Sequence, residues 1–300
     1  MNKIVLIGDV MLDISIAGTV TRIAPEAPIG IITEVTRKET LGGAGNVYAN
    51  LVAAEEDPYF ITIVGDDDDA VKVENKITNG KVYKDYARKT TTKTRTYAYT
   101  NHIRKETLVT RLDKETTVDF IDFDKLFVDD VYECVSNAEF ILFSDYKKGF
   151  VTKELVEYVK SLNHHARYIG DTKNLNDAYK DFYIITPNEF EISKWTDDKK
   201  QSLEEVLLMC KNTFGIEHPI ITRGDKGIIF IDENQLIKML PTTKHVAIDV
   251  LGAGDTFVAY LTSELNREKS LTEAAIVATE AAGISVTHDG AYAVKREELE

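Results

Sequence analysis

Short apolar runs alternate with longer helix-like stretches along most of the chain, and this alternation limits the folds open to it. The strand-like runs are KIVLIG (3–8), YFITIVG (59–65), AEFILFS (138–144) and ARYIGD (166–171). The helix-like stretches include GNVYANLVAAE (45–55) and TKELVEYVKSLN (152–163). Strands that alternate with crossover helices predict an α/β fold, with a mostly parallel central sheet covered by helices on both faces.

Two segments break this alternation. Residues 12–36 and 86–113 carry alternating β-forming residues without a helical period. They predict a small β-sheet appended to the main sheet, where it would act as a lid. Because no internal repeat, low-complexity linker or Pro/Gly-rich hinge divides the sequence, residues 1–300 are expected to form a single domain.

Composition and charge narrow the classes of partner. No apolar run approaches the roughly 18 residues of a membrane span. The N-terminus MNKIVLIGDVMLD predicts a first strand rather than a signal peptide, so we expect a cytoplasmic protein. A formal net charge of −14 argues against nucleic-acid and membrane binding. It permits phosphorylated small molecules, because local cations and helix-start N–H groups can hold them.

The stretch IDVLGAGDTFVAYL (248–261) places Gly252, Ala253 and Gly254 before Asp255, between a strand-like and a helix-like run. Small residues let the backbone approach a ligand, and the first turn of a helix presents unpaired N–H groups, so this turn predicts an anion site. Asp255 has two interpretations here. It is either a helix cap or a general base that accepts a proton from a hydroxyl attacking a terminal phosphate.

Two further motifs predict a sugar site. GDVMLD puts Asp9 and Asp13 around the end of the first strand, where ligands of open α/β sheets collect. LGGAGNV adds a glycine-rich turn, Gly42 and Gly43, followed by Asn46. Carboxylates and amides suit sugar hydroxyls because they exchange several hydrogen bonds with them.

The remaining motifs allow a structural or a nucleotide-binding interpretation. In TPNEFE, Asn188 and Glu191 lie three residues apart. They form either a helix cap or a pair that holds Mg²⁺ through water near phosphates. In ITRGDKG, Thr222, Gly224 and Gly227 belong either to a plain turn or to a nucleotide contact.

These motifs, in this order and over nearly the whole chain, resemble the PfkB or ribokinase-like family of carbohydrate kinases. A narrower resemblance, carried by GDVMLDISIAGTVTRIAPEAP, GGAGNVYAN, SDYKKG and DTKN, is to the kinase module of bacterial bifunctional heptose enzymes. It implies phosphorylation of the anomeric hydroxyl of D-glycero-D-manno-heptose 7-phosphate, on the route to ADP-heptose for lipopolysaccharide. The chain is then a stand-alone kinase or an excised module, with a separate nucleotidyltransferase acting later.

The resemblance implies a ribokinase-like fold, ATP as phosphoryl donor and Mg²⁺, and it assigns roles to the motif residues. Asp255 is the general base, beside an anion hole of Gly252, Ala253 and Gly254. The residues expected to bind sugar are Asp9, Asp13, Gly42, Gly43 and Asn46. The residues expected to serve the nucleotide are Asn188, Glu191, Thr222, Gly224 and Gly227, with Glu191 reaching Mg²⁺ through water. Asp249 is expected to hold a monovalent cation such as K⁺, although Leu251 stands where relatives commonly have threonine.

Phosphoryl transfer also requires local positive charge in this acidic protein. The candidates are Arg22, Arg95, Arg111, Lys147, Lys148 and Lys173. Lys147 and Lys173 are favoured as substrate-binding residues because each follows a strand end at the ligand edge of the sheet. The tyrosines are predicted to serve in packing.

Three expectations concern assembly and alternative functions. The lid is expected to exclude water and to pair two subunits into a homodimer. The first alternative function is another sugar or nucleoside kinase of the ribokinase or fructokinase type. The second is a sugar or nucleotide sensor without catalysis, since a fold alone does not fix a function.

Overall fold

The computed structural model describes residues 3–99, 106–120, 126–127, 130–195, 201–242 and 246–299. Within these ranges the strands are β1 (Ile4–Gly8), β2 (Val10–Ile23), β3 (Gly30–Gly43), β4 (Tyr59–Val64), β5 (Gly80–Lys84), β6 (Thr92–Tyr99), β7 (Glu106–Lys114), β8 (Phe140–Asp145), β9 (Arg167–Thr172), β10 (Ile184–Ile185), β11 (His218–Thr222), β12 (Ile228–Ile231) and β13 (Ile237–Leu240). The α-helices are α1 (Ala44–Ala53), α2 (Asp68–Glu74), α3 (Asp130–Asn137), α4 (Lys153–Leu162), α5 (Glu189–Trp195), α6 (Leu203–Phe214), α7 (Ala253–Asn266) and α8 (Leu271–Ser285). Among these helices, none combines the length and hydropathy that crossing a membrane requires.

The main sheet confirms the predicted, mostly parallel architecture. Its strand order is β13-β12-β11-β10-β9-β8-β1-β4-β5. The strands from β11 to β5 in this order all run parallel. At one edge, β12 pairs antiparallel with β11, and β13 pairs antiparallel with β12.

Helices cover both faces of this sheet because its strands are apolar on both sides. In β1, Ile4 and Leu6 enter one core, whereas Val5 and Ile7 enter the other. The first core lies under α1, α2, α7 and α8. The second lies under α3, α4, α5 and α6. Such continuous apolar strands are typical of parallel sheets buried on both faces.

The second sheet has the order β3-β2-β6-β7, with β2 and β6 parallel and the other pairs antiparallel. The predicted segments 12–36 and 86–113 fall largely on these strands, but β2 begins at Val10 and β3 continues to Gly43. Residues 100–105 of the second segment lie outside the described residues. Only Asp9 separates β1 from β2, and β3 runs directly into α1, so this sheet leaves the main one at the carboxyl end of β1.

The strand order reverses between β1 and β8. From β1 the chain adds β4 and β5 on one side, and from β8 it adds β9, β10 and β11 on the other. Ligands of open α/β sheets bind outside the carboxyl ends of strands at such a reversal. The polar residues after β1, β8 and β9 are therefore brought to one crevice.

Candidate active site

The glycine-rich turn before α7 depends on the backbone of Gly252. This residue precedes the helix with φ 82°, a conformation that favours glycine. A Cβ at Gly252 would also lie 2.4 Å from Nδ2 of Asn46. By contrast, a Cβ at Gly254 would meet nothing within 4 Å, so this side of the turn faces open space.

Asp255 is buried in the first turn of α7, with 6% of its surface exposed. Its side chain does not cap the helix, because Gly252 occupies the cap position and no side-chain cap bond is formed. Instead, the Tyr146 hydroxyl donates to Oδ1, and Nδ2 of Asn46 donates to Oδ2 at 2.9 Å. Of the two sequence interpretations of Asp255, the helix cap is therefore wrong.

The surroundings of Asp255 raise its pKa to about 7. Burial is the main cause, because it disfavours the charged carboxylate, and the nearby charge of Asp171 adds to it. Hydrogen bonds from Tyr146 and Asn46 oppose the rise, as does the ammonium of Lys173. A carboxylate with this pKa can both accept and release a proton near neutral pH.

Lys173 brings a cation close to this carboxylate. Its Nζ lies 2.7 Å from Oε1 of Glu191 and 3.6 Å from Oδ1 of Asp171. Burial lowers the pKa of Lys173, but the charges of Asp171 and Glu191 outweigh burial and raise it above its ordinary value. The ammonium therefore stays protonated, as expected for the cation predicted after β9.

Asn188 and Glu191 form the predicted cap at the start of α5. Oδ1 of Asn188 accepts from the Glu191 amide, and the Asn188 amide donates to Oε2 of Glu191, both at 2.9 Å. The other oxygen of Glu191 binds Lys173, so one residue serves both the helix end and the site. Within the described ranges, no three His, Cys, Asp or Glu side chains cluster to hold a metal ion.

Asp9 holds the loop after β8. Its carboxylate accepts from the backbone amides of Tyr146 at 2.9 Å, and of Lys148 and Phe150 at 3.1 Å each. Burial and the charge of Asp145 raise its pKa to about 6, although these amide bonds oppose the rise. With 2% of its surface exposed, Asp9 positions the loop, and its predicted role in sugar binding stays a prediction.

Asp13 faces a cleft between the second sheet and the loops around residues 248–251 and 289–291. Its Oδ1 accepts from Nη1 of Arg95 at 2.6 Å. A Cβ at Gly42 would lie 1.9 Å from its other oxygen, so only glycine leaves room for this carboxylate. The cleft has a volume of about 710 Å³, and the cations lining it are Arg37, Lys38 and Arg95.

The predicted nucleotide residues follow β11. Thr222 pairs with Asn188 as an isolated parallel bridge, which joins the end of β11 to the start of α5. Gly224 opens a short 3₁₀ turn and Gly227 closes it, with φ 79°. These residues lie at the carboxyl end of β11, on the same edge of the sheet as Asp171 at the end of β9.

Asp249 braces two loops. Its Oδ1 accepts from the Leu251 amide at 3.0 Å and its Oδ2 from the Gly290 amide at 3.1 Å. Both oxygens therefore have backbone partners. The predicted monovalent cation at this residue stays a prediction.

Comparison with known proteins identifies the family. The model of the pfkB family carbohydrate kinases matches residues 1–298. The chain belongs to this family. The bifunctional protein HldE of Helicobacter pylori (strain G27) is 32% identical over 312 residues, which cover 100% of this chain and 66% of that protein. The chain thus spans about two thirds of the length of this relative.

Two solved structures show the same fold as this PfkB chain. Ribokinase from Thermotoga maritima has a TM-score of 0.72 at 23% identity, covering 100% of this chain and 98% of its own. Phosphofructokinase-2 from Escherichia coli, in complex with potassium, has a TM-score of 0.76 at 15% identity and covers 100% and 97%. The ribokinase-like fold expected from the sequence is confirmed, and the chain is an ATP-dependent sugar kinase.

The PfkB site gathers only some of the predicted cations. Lys173 and Arg95 reach it, whereas the Lys147 side chain is exposed and its amide donates to Asp145. The cations that lie elsewhere or are paired with surface acids are Arg22, Arg111 with Asp113, and Lys148 with Glu115.

Sequence reasoning missed three contributors to this PfkB site. They are Tyr146, Asp171 and the cleft residue Lys38. The sequence predicts packing roles for the tyrosines, but the Tyr146 hydroxyl contacts Asp255. The position directly after β8 is a signal for it, because Asp9, which occupies the same position after β1, is predicted to bind a ligand.

Proposed function

We propose that this PfkB kinase uses Asp255 as the general base that accepts a proton from the attacking sugar hydroxyl. The observation that carries the proposal is the buried carboxylate of Asp255 at a glycine-lined helix start, with its pKa raised to about 7. A base with a pKa near the working pH is deprotonated in a substantial fraction of molecules and still has enough basicity to accept a proton from the hydroxyl.

The turn from Gly252 to Gly254 would stabilise the transferred phosphoryl group. The first N–H groups of a helix lack intrahelical partners, and the helix dipole favours an anion there. Open space beside Gly254 leaves room for that group. Asp255 follows directly, so the hydroxyl that it deprotonates would lie next to the phosphoryl group.

The nucleotide would lie along the ends of β10 and β11, where Asn188, Thr222, Gly224 and Gly227 are found. The neighbouring carboxylates of Asp171 and Glu191 fit Mg²⁺, which keeps several waters and is held through few carboxylates together with substrate phosphates. When bound, Mg²⁺ neutralises phosphate charge. Glu191 would hold it through water, and Lys173 would add a second positive charge.

The proposed substrate is a phosphorylated sugar bound in the cleft. The strand pairing sets Ser15 opposite both Lys38 and Arg95, so these two cations share the sheet face that carries Asp13. The cleft also carries the carboxylates of Asp13, Asp249 and Asp289, and Arg95 is paired with Asp13, so Lys38 is the cation proposed to meet a phosphate group on the sugar. With the similarity to HldE, this cation supports D-glycero-D-manno-heptose 7-phosphate, phosphorylated at its anomeric hydroxyl. In this proposal Asn46 and Asp13 bind the sugar.

The proposal includes a homodimer formed through the second sheet. Exposed apolar side chains on its strands include Ile23, Val35, Leu108, Val109 and Leu112. Large exposed apolar side chains of this kind support a protein interface on this sheet. A second copy of the chain is the proposed occupant because it would cover these side chains and stiffen the sheet beside the cleft.

Substrate screening tests the function. The purified chain is incubated with Mg²⁺ and ATP against heptose 7-phosphate, other sugar phosphates, ribose and fructose, and ³¹P NMR locates the new phosphate. We expect turnover of the heptose phosphate with a new anomeric phosphate, and at least about a hundredfold loss of turnover in Asp255→Asn. Turnover of free sugars alone would favour a ribokinase-like enzyme. Binding without turnover, measured by calorimetry, would favour a sensor.

A further inference from the structure

Tyr146 connects the loop after β8 to the carboxylate of Asp255. The two residues lie 109 positions apart in the sequence, yet the Tyr146 hydroxyl donates to Oδ1 of Asp255. Asn46 serves the opposite oxygen, Oδ2. Each carboxylate oxygen retains a further lone pair, so a third donor, such as a sugar hydroxyl, can still bind.

The position of Tyr146 is built into the fold. Its backbone amide donates to buried Asp9 at 2.9 Å, and the following residue, Lys147, has φ 56° and donates to Asp145 at 2.8 Å. Two ammonium groups lie over the aromatic ring, Lys173 at 4.9 Å and Lys93 at 5.9 Å from its centroid. Cations at these distances are attracted to an aromatic face.

We infer that Tyr146 is a positioning residue whose hydroxyl fixes the orientation of the Asp255 carboxylate toward the sugar hydroxyl. The inference rests on the proposed function, in which Asp255 is the base. Fixing Oδ1 and Oδ2 from two sides prevents rotation of the carboxylate, and such preorganisation keeps the reacting atoms aligned.

The charges around Asp255 define what loss of this hydroxyl would do. Asp171 raises the pKa of Asp255 and Lys173 lowers it. Glu191 pairs with the Lys173 ammonium and raises the pKa of Tyr146, and the Lys93 ammonium lies over the Tyr146 ring. Burial and the charge of Asp255 raise the pKa of Tyr146 well above its ordinary value, so its hydroxyl remains a donor. In Tyr146→Phe all of these charges stay in place, and only a donor to the carboxylate is lost.

The opposing interpretation is that Tyr146 is a plug, a side chain that blocks the substrate site. In that case the Tyr146 hydroxyl occupies the place of the substrate hydroxyl and must leave before reaction. The two interpretations differ in sign: removing a plug would raise kcat/KM, whereas removing a positioning donor would lower kcat.

The experiment compares Tyr146→Phe with Tyr260→Phe. Tyr260 lies on the same helix, α7, and its hydroxyl donates to the Val294 carbonyl at 2.8 Å. Steady-state kinetics against pH gives kcat, KM for the sugar and the apparent pKa of kcat/KM. NMR of protein labelled with [4-¹³C]aspartate follows the Asp255 carboxyl directly, assigned with Asp255→Asn.

For Tyr146→Phe we expect about a tenfold lower kcat with KM within about twofold, as for loss of a hydrogen bond to a charged group. Both the kinetic pKa and the NMR pKa of Asp255 should rise by about one unit, because the carboxylate form loses a donor. Tyr260→Phe should change neither. Unchanged pKa values, or a higher kcat/KM, would overturn the inference.

Failure of the proposed function gives a different result. Turnover retained in Asp255→Asn removes Asp255 as the base, and the positioning role falls with it. If Asp255→Asn is inactive while Tyr146→Phe matches the wild type in kcat and pKa, only the inference about Tyr146 is wrong.

Discussion

Nδ2 of Asn46 lies 2.9 Å from Oδ2 of Asp255, although the two residues are 209 positions apart. Asn46 belongs to α1, which follows the glycine-rich end of β3, and Asp255 to α7, which follows Gly252. The same Asn46 nitrogen lies 3.5 Å from the Gly252 carbonyl. The two glycine-rich turns therefore form one site, in which Asn46, expected to bind the sugar, directly contacts Asp255, the expected base.

Asn46→Ala should lower kcat/KM by about 10- to 100-fold, because it removes a hydrogen bond to a charged group as well as a sugar contact. The amide of Asn137 on α3 bonds the Glu133 carbonyl at an exposed site, which makes Asn137→Ala a suitable control. Steady-state kinetics of both variants measures the effect. A kcat/KM of Asn46→Ala within twofold of the wild type would contradict the role of Asn46.

Gly252→Ala should unfold at lower urea concentration than the wild type. A side chain at φ 82° is strained by about 1–2 kcal/mol, and the added Cβ would displace the Asn46 amide. Gly254→Ala is the matched comparison for stability, because its Cβ meets open space within a helix. That variant should be at least as stable as the wild type. Equal losses in both variants would show that the Gly252 conformation is not required.

The sequence predicted the features that depend on local pattern. Apolar runs that alternate with helical stretches gave the parallel sheet, because burial on both faces leaves continuous apolar strands such as β1. Glycine before Asp255 predicted the turn, since few other residues adopt a φ of 82°. Lys173 was predicted from its position after β9.

The sequence could not predict which partners these residues find. The contacts between Tyr146 and Asp255 and between Asn46 and Asp255 join elements more than 100 positions apart, and only the strand order brings them together. The sequence predicts a ligand-binding role for Asp9 but does not reveal that the loop from Tyr146 to Phe150 turns its amides onto that carboxylate. A carboxylate after a strand looks the same in sequence whether it meets a ligand or a loop.

Lys173→Gln should lower turnover by at least about tenfold, because the charges of Asp171 and Glu191 lose their cation beside the phosphate site. Stability should fall as well, by about 3 kcal/mol, since a partly buried acidic pair is left without its cation. Lys153→Gln is the control, because Lys153 lies on α4 and forms an exposed ion pair with Glu157. Kinetics and urea unfolding of the two variants test this contrast, and similar behaviour of both would contradict it.

Leu108→Asp should convert the proposed homodimer to a monomer, because an exposed apolar side chain of β7 would become charged at the interface. Met239→Asp changes a similarly exposed side chain on β13, at the far edge of the main sheet, and should leave the assembly intact. Analytical ultracentrifugation over a range of protein concentrations distinguishes the outcomes. A monomeric wild type would rule out the dimer.

Asp255→Asn should be more stable than the wild type at neutral pH. The pKa of Asp255 is about 7 in the folded protein against an ordinary 3.8, so between these values the folded state binds a proton that the unfolded state has lost. Raising the pH through this window therefore favours unfolding of the wild type, by a few kcal/mol in total. Asparagine does not titrate, and Tyr146 can accept from its amide while Asn46 donates to its oxygen.

The stability difference between Asp255→Asn and the wild type should therefore grow from about pH 4 to about pH 7 and stay constant above it. Urea unfolding of both proteins at pH 5 and pH 8 measures this difference. Asp113→Asn should show the opposite stability change and be less stable than the wild type at neutral pH, because the hydrogen bond from Arg111 lowers the pKa of the Asp113 carboxyl. The effect should be small, since this exposed pair stabilises the protein only modestly. An Asp255→Asn advantage that is equal at pH 5 and pH 8 would mean that the carboxyl titrates normally, which would remove its suitability as a base near neutral pH.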